Sequence, residues 1–378
     1  MSLPEFSEAD KRYMTLALEL AEQGRYTTTP NPCVGAVIVQ EDQVVGQGWH
    51  HKAGEAHAEI VALSQAGTQS RNATVYATLE PCSFTGRTGP CADALVEAGV
   101  KRVVYAMQDP NVKVAGSGAD KLRKAGIEVD EGLMPEQAES LNRGYIKRMR
   151  FGEPFVRVKI ASSLDGRSAM ANGDSQWITG ESSRNHAQRL RAESCAILTG
   201  VDTILIDDPS YSLREQALGS AIERQPDLWI CDSLLRSVPS LNVFKSIKQL
   251  GRKVVIVAGQ QGISKNVERA KSLSNLGVEI ITCDLNASRQ IDLDALLAVA
   301  GKQEVNELLV EAGPRLTASF LKQKRVDEII WYVAPKILGA DARPAVDLCI
   351  EHLSDALAWN VIQHEKIDGD ICLTLKPA

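Results

Sequence analysis

The chain has 378 residues, a net charge of −6 and a pI of about 5.7, with 44% hydrophobic and 24% charged residues and no low-complexity tract. That length exceeds one ordinary core and predicts two globular domains. The acidic balance argues against nucleic acid as a main partner, and no apolar run reaches membrane-spanning length. Eight cysteines are scattered without framework spacing and no signal peptide is evident, which together read as a reduced, cytoplasmic setting.

In chain order, Ser7 with Asp10 three residues on predicts a capped helix that ends at Gly24. Pro30-Asn31-Pro32 forces an extended turn before the apolar strand 34–39, and 43–48 reads as its hairpin partner. A helix over 58–66, a strand over 73–79, a helix over 90–98 and a strand over 103–106 follow. Helix 119–125 and strand 127–131 complete the half. This alternation predicts a three-layer α/β domain over 1–150 with its chemistry at strand ends. Residues 135–150 read as one charged helix, broken by Phe151-Gly152-Glu153-Pro154 at the domain boundary.

His57-Ala58-Glu59, Pro81-Cys82 and Cys91 supply an imidazole, two thiols and a carboxylate. Three such ligands hold Zn²⁺ and leave a fourth position for water, whose pKa the metal lowers. Glu59 sits two residues beyond the His ligand and is suited to move protons between water and a leaving amine. The pattern matches the zinc deaminase signature H-x-E…P-C-x-x-C, except that eight residues rather than two separate the cysteines. Residues two apart on a helix point to opposite sides, so His57 must stand at or before the helix start. The intervening loop, Ser83 to Pro90, carries glycines, hydroxyls and Arg87. It suits either an anionic substrate tail or a solvated turn. Asn31 and His50 reach the same cavity or serve structure, His51 faces solvent, and Gly116-Ser117-Gly118 lacks the context of a dinucleotide motif. The other six cysteines, Cys33, Cys195, Cys231, Cys283, Cys349 and Cys372, read as small core residues.

Residues 151–378 predict a second α/β domain. Strands fall at 155–161, 195–200, 227–231, 253–258, 278–282, 308–311 and 328–333, giving a parallel sheet with a late antiparallel addition. The run from Val310 to Ser319 passes from a strand through Gly313 into a helix start at Pro314. Free N–H groups there suit a cofactor phosphate, or the turn is structural. Lys159 lies inside an apolar strand, as a snorkelling or a catalytic lysine.

PNPCVGAVIV, GEAHAE, TLEPCSFTGRTGPC, QDPN, KIASSLDGR, SQWITG, DDPSYSLR and VEAGP together resemble the bacterial bifunctional riboflavin-biosynthesis family, over nearly the whole chain. The resemblance implies a cytidine-deaminase-like domain followed by a dihydrofolate-reductase-like α/β domain. The first would hydrolyse the 2-amino group of 2,5-diamino-6-ribosylamino-4(3H)-pyrimidinone 5′-phosphate. The second would reduce the ribosyl side chain with NADPH, giving 5-amino-6-(ribitylamino)uracil 5′-phosphate. By position, His57, Cys82 and Cys91 match the zinc ligands and Glu59 the proton shuttle. Ala161, Trp177, Thr203, Asp207, Ser233 and the turn Gly313, Pro314, Arg315, Leu316, Thr317, Ala318, Ser319 match cofactor contacts. Ser175, Arg191, Tyr211, Arg214 and Glu311 match substrate contacts, and Lys159 a lysine near hydride transfer. The long Cys82–Cys91 spacing resembles what this family has. Phe84 and Gly89 stand where it usually has His and Pro, and Tyr211 where an apolar residue is common.

Two other classes share parts of the pattern. A base editor of tRNA or DNA needs a basic, aromatic-bearing groove, and the charge of −6 and 5% aromatics oppose it. A structural zinc needs a fourth protein ligand, and none stands in register. A homo-oligomer, dimer or tetramer, is expected of the fold class.

Overall fold

Ser7 caps the first helix, α1 (Glu8–Glu22), and Asp10 returns a bond to the Ser7 backbone, so both halves of the capping box form. The helix buries Tyr13, Met14, Ala17 and Leu20. A computed structural model describes residues 5–84, 89–111, 115–219, 222–245 and 247–378. The chain divides into two compact units, Met1–Gly152 and Glu153–Ala378.

In the first unit, β1 (Gly35–Gln40), β2 (Gln43–Trp49), β3 (Thr74–Ala77), β4 (Arg102–Tyr105) and β5 (Glu128–Glu131) form one sheet in the order β2-β1-β3-β4-β5. β1 runs antiparallel to β2 and β3, and β3, β4 and β5 are parallel. The parallel strands are joined through α3 (Cys91–Ala98) and α4 (Ser117–Lys124), while α2 (Ala58–Ala66) precedes β3. Two glycines let helices lie directly on the sheet. A Cβ on Gly35 would stand 2.0 Å from the Ala17 carbonyl oxygen of α1, and one on Gly48 2.8 Å from the Ala58 carbonyl oxygen of α2. Gly48 pairs with Ala36, the neighbour of Gly35, so the two glycines point to opposite faces. α1 and α2 therefore flank the sheet, which gives the three layers expected.

The predicted single helix over 135–150 is two: α5 (Pro135–Leu141) and α6 (Arg143–Phe151). The break is Asn142, with φ −114°. Its side chain is turned inward, where Oδ1 accepts from the Cys33 N–H (2.8 Å) and Nδ2 donates to the Cys33 carbonyl (2.9 Å). Satisfying both backbone groups of a buried residue outside the ladder outweighs one uninterrupted helix.

The second unit carries β6 (Phe155–Ser163), β7 (Arg167–Ala169), β8 (Ala196–Gly200), β9 (Asp227–Cys231), β10 (Val254–Ala258), β11 (Val278–Thr282), β12 (Glu307–Val310), β13 (Glu328–Ala334), β14 (Arg343–Pro344), β15 (Trp359–Ile367) and β16 (Asp370–Pro377). Nine of them form a sheet in the order β11-β10-β9-β8-β12-β6-β13-β16-β15, and β7 pairs with β14. The first seven, which include every strand predicted for this unit, are mutually parallel; the late antiparallel addition is made by β16 and β15 instead. The terminal hairpin itself was not among the predicted strands, because β15 is an edge strand with mostly exposed side chains and no clean alternation. Two helices matter below, α7 (Glu181–Glu193) and α8 (Val201–Asp207). Of the cysteines assigned to the core, Cys33, Cys195, Cys283 and Cys372 are buried. Cys231 is half-buried and Cys349 is exposed, since it lies in a segment outside the sheet.

Asp10 ties the first unit together. Its Oδ1 accepts from Tyr76 Oη and Arg102 Nη1, each at 2.7 Å, and Arg102 also pairs with Asp130 at 2.7 Å. Burial alone would raise this carboxyl, but the bonds from Ser7, Tyr76 and Arg102 overcome it and hold the group at about 2. A carboxyl lowered on folding stabilises above its unfolded value and loses that contribution as pH falls through the folded one. Asp10→Asn is expected to cost about 1–2 kcal/mol near neutrality, discounted for the partly exposed Arg102. The difference from the parent should shrink between pH 4 and pH 2, as read by urea midpoints across that range. A difference independent of pH would remove the ionic role of Asp10.

Candidate active sites

His57 is the N-cap of α2, with extended backbone (φ −72°, ψ 161°), so its ring leaves the helix axis while Glu59 lies inside the first turn. This is the placement that the two-residue spacing demands. Cys91 is the first residue of α3, and its N–H donates to Cys82 Sγ at 3.3 Å. His57 Nδ1 lies 3.2 Å from Cys91 Sγ and 3.6 Å from Cys82 Sγ, and the three donor atoms all fall within 4.8 Å of one another. Zn–N near 2.0 Å and Zn–S near 2.3 Å in a tetrahedron set such donors about 3.6 Å apart, so the set fits zinc. No fourth His, Cys, Asp or Glu joins the group among the described residues.

The two thiols share one proton: Cys91 and then His57 lower the Cys82 thiol to about 4 against burial, while the bond to Cys82 and burial raise the Cys91 thiol, and a cation held by both would displace that proton. The hydrogen bond to Cys82 raises the His57 imidazole against the effect of burial. Two helix starts, those of α2 and α3, add the positive ends of their dipoles. Glu59 is 3% exposed, and burial raises its carboxyl, which makes it readier to take up a proton. The structure brings His50 and Asn31 here as well. The His50 ring lies 5.2 Å from that of His57; its Nδ1–H donates to the Ala56 carbonyl (3.1 Å), and Nε2 accepts from Asn31 Nδ2 (3.0 Å). His51 instead pairs with Glu55 at 3.0 Å on the surface.

One supporting residue escaped the sequence reading. The buried Glu80 carboxylate, two residues before Cys82, accepts from the backbone N–H groups of Gly116 (2.9 Å), Gly118 (3.0 Å) and Ala119 (3.2 Å). A Cβ on Gly118 would stand 1.9 Å from the Pro81 carbonyl oxygen. Gly116-Ser117-Gly118 is thus the buttress of the Pro81-Cys82 turn. An acidic residue directly before Pro-Cys in a buried strand end was the available signal. Ser83 Oγ meets Ser117 Oγ at 2.6 Å and Phe84 is exposed. Thr85, Gly86, Arg87 and Thr88, the core of the loop assigned to an anionic tail, lie outside the described residues.

In the second unit a polar group gathers where β6, β8 and β12 end. Glu311 follows β12 and accepts a two-pronged bond from Arg191 of α7, Nε and Nη2 each at 2.7 Å. Tyr211 Oη donates to the Glu311 carbonyl (3.1 Å) and meets Thr199 Oγ1 (2.8 Å), while its ring lies 5.3 Å from the Arg191 guanidinium. Arg252 holds the Tyr211 carbonyl at 3.0 Å. Val310 pairs with Val158, which puts Lys159 level with Glu311 on the neighbouring strand. Burial would raise the Glu311 carboxyl, but Arg191 and Lys159 together hold it below the usual range. Burial lowers the Lys159 ammonium, and Glu311 offsets this only in part. Two helices start beside this group. α8 begins after Gly200, and the helix Pro314–Lys322 begins after Gly313, both without a side-chain cap. Thr203 Oγ1 lies 3.5 Å from where a Cβ on Gly313 would stand, so the two starts adjoin.

Comparison with known proteins settles the lineage. Residues 7–107 match the cytidine and deoxycytidylate deaminase zinc-binding region, and residues 154–373 match the RibD C-terminal domain. The riboflavin biosynthesis protein RibD of Escherichia coli is 43% identical over 97% of this chain and 99% of its own. The chain belongs to the RibD family. The solved structure of Acinetobacter baumannii RibD is 41% identical with a TM-score of 0.90, covering 98% of this chain and 99% of its own. A Thermotoga maritima structure titled diaminohydroxyphosphoribosylaminopyrimidine deaminase/5-amino-6-(5-phosphoribosylamino)uracil reductase is 30% identical with a TM-score of 0.85 over 98% of this chain. Like other RibD proteins, this one is a bifunctional riboflavin-biosynthesis enzyme, with an N-terminal zinc-binding deaminase domain followed by a reductase domain.

Against the RibD expectation, the remaining reductase positions are distributed as follows. Ala161 lies on β6 and Ser233 follows β9, so both stand at the same sheet edge as Glu311. Asp207 ends α8, where burial raises its carboxyl and Arg343 opposes that. Trp177 is 61% exposed, with the Arg184 guanidinium 4.4 Å from its ring centroid, and its carbonyl accepts from Lys336 Nζ (2.8 Å). In the turn, Arg315 is exposed, Pro314, Leu316 and Ser319 are half-buried, and Thr317 and Ala318 are packed inward. Ser175 is half-buried in the loop before Trp177. Arg214 is exposed and bonded through its N–H to Gln188 Oε1 (3.1 Å). Thr199 and Arg252, which fix Tyr211, were not foreseen, since a single Thr in a strand and an Arg before a strand carry no pattern. Glu311→Gln leaves the half-buried Arg191 charge without its counter-ion, which is expected to cost about 1.5–3 kcal/mol, less than for a fully buried pair. Urea unfolding should show that loss in the second unit and its relief in the double variant with Arg191→Met. Equal midpoints for Glu311→Gln and the parent would contradict the pairing.

Proposed function

We propose that the first unit deaminates 2,5-diamino-6-ribosylamino-4(3H)-pyrimidinone 5′-phosphate, and that the second reduces the deaminated product with NADPH to 5-amino-6-(ribitylamino)uracil 5′-phosphate. The observation that carries the first half is the convergence of His57, Cys82 and Cys91 beside a buried carboxylate. These three residues would hold zinc, which when bound supplies a Lewis acid that acidifies water near neutral pH. Glu59 accepts a proton at its carboxylate and returns it to the departing nitrogen, so that water replaces the 2-amino group and ammonia leaves. His50, whose hold on a proton is weakened by burial although its bond to the Ala56 carbonyl opposes this, and Asn31 orient the pyrimidine.

In the second unit, the starts of α8 and of the helix Pro314–Lys322 provide uncapped N–H groups for the cofactor's phosphates. Ala161, Trp177, Thr203, Asp207, Ser233 and residues 313–319 would line the cofactor, with Thr317 and Ala318 contributing backbone. The cofactor supplies hydride. Ser175, Tyr211 and the paired Arg191 and Glu311 would line the ribosyl moiety, and the exposed Arg214 guanidinium suits its phosphate oxygens. Lys159 delivers a proton, its acidity increased by burial. The choice of NADPH follows from the family resemblance, a reduced cytoplasmic setting from the scattered cysteines, and a homo-oligomeric state from the fold class. Nucleic acid is not a partner in this reading, and no helix of the described residues is long and apolar enough to cross a membrane.

With the diaminopyrimidine phosphate supplied, the protein should release ammonia and then oxidise NADPH. Glu59→Gln should lower ammonia release about 10²–10⁴-fold while NADPH oxidation on the deaminated substrate continues. Lys159→Met should do the reverse, by a similar factor. Undiminished ammonia release in the Glu59 variant, or undiminished NADPH oxidation in the Lys159 variant, would remove that residue from the chemistry.

A further inference from the structure

His186, Glu365 and Cys372 form a second group of metal-ligating side chains, in the reductase unit and with no part in the reaction described above. Their donor atoms all lie within 4.8 Å of one another. The sheet register accounts for the arrangement. Glu365 of β15 pairs with Cys372 of β16, and Cys372 pairs in turn with Tyr332 of β13. Directly paired residues share a face, so Tyr332, Cys372 and Glu365 stand in a row across three strands. α7 covers that row, with Ala187 and Leu190 in the same apolar cluster as Tyr332 and Cys372. His186, directly before Ala187 and one turn before Leu190, sets its ring over the row. Tyr332 Oη lies 2.7 Å from His186 Nδ1, and His186 Nε2 stands 3.8 Å from Glu365 Oε1.

Three features suit a metal rather than a plain polar cluster. The donors are an imidazole, a carboxylate and a thiol that is free and buried, a set for a borderline-soft divalent ion. The tyrosine hydroxyl fixes one ring nitrogen and aims the other at the carboxylate, as outer partners of ligating histidines do. The outer side of Glu365 is exposed, which leaves an entry path and room for water as a fourth ligand. A nitrogen and a carboxylate oxygen bound to one tetrahedral zinc stand about 3.3 Å apart, so a small rotation of the exposed Glu365 side chain closes the set.

We propose that His186, Cys372 and Glu365 bind a second divalent transition-metal ion, of the zinc class, which clamps the C-terminal hairpin to α7. The same contact line already carries polar links: Asp370 Oδ2 accepts from the Gly180 N–H (2.7 Å) and Ser183 Oγ (2.6 Å), and Ser182 Oγ donates to Asp368. The ion would extend that line by one helical turn. It is distinct from the deaminase set, since the ligands lie in the other unit of the chain.

The test is metal stoichiometry on the full-length protein, with zinc alone and then cobalt(II) as probes. Zinc-saturated, gel-filtered parent protein should hold one equivalent more per chain than Cys372→Ala or His186→Gln, whatever the occupancy of the deaminase set. Cobalt(II) should give a thiolate-to-metal absorption that falls, without vanishing, in Cys372→Ala. Ammonia release and NADPH oxidation should stay near parent values in Cys372→Ala, which shows that the variant is folded. Equal zinc content in the parent and the folded Cys372→Ala variant, with unchanged cobalt absorption, would overturn the second site.

Discussion

The deaminase centre depends on one constraint: donors from separate loops must stop at helix starts rather than run into helices. His57 ends a loop as an N-cap, and Cys91 opens α3 as its first residue. Had either stood one turn later, its side chain would project from the flank of a helix rather than from its end. Cys82 comes from the turn after β3, and that turn is braced by Glu80, whose carboxylate takes up three N–H groups at the start of α4. Thus the sheet edge, two helix starts and a buried carboxylate act as one device. Its rigidity comes from satisfied backbone donors, and the donor distances of 3.2 and 3.6 Å follow from it.

Much of this could be read from the residues alone, because the controlling signals are local. The two-residue step from His57 to Glu59 fixes the helix start, and Ser7 with Asp10 announces a capping box. Most of the parallel strands in both units are short apolar runs bounded by glycines and polar turns, with the edge strand β5, Glu-Val-Asp-Glu, the exception. Where the reading failed, the cause lay at long range. Asn142 interrupts a run that looks helical because Cys33, far away in sequence, needs its backbone bonded. The terminal hairpin is marked by Asp368-Gly369 between Ile367 and Asp370, a usable two-residue turn signal. Its outer strand, however, carries exposed polar and charged side chains that dilute any period of two.

The reductase unit gives the clearest case of an ambiguity that sequence could not settle. Arg157 and Lys159 sit two apart on β6 and so share a face. Both are cations in a strand of apolar residues, and from the chain alone either could be structural. α7 distinguishes them through the last turns it lays over that face. Arg157 meets Glu328 at 2.8 Å, Glu193 of α7 at 3.1 Å and Glu307 at 3.8 Å, so three carboxylates surround one guanidinium. Such a cation is fully compensated and has no proton to give, since guanidinium does not titrate in the working range.

Lys159 is in the opposite situation. The one carboxylate level with it, Glu311, already gives both oxygens to Arg191, two residues before Glu193 on the same helix. No hydrogen bond or ion pair reaches the Lys159 ammonium among the described residues, and burial lowers its hold on the proton. Helix α7 therefore assigns two carboxylate environments along one strand, a closed one to Arg157 and a shared one to Lys159. A buried ammonium with only a shared counter-ion is poorly explained by stability, because its desolvation is not repaid by a dedicated partner. It is consistent with the proposal that Lys159 transfers a proton, for which a weakened hold on the proton is the useful property.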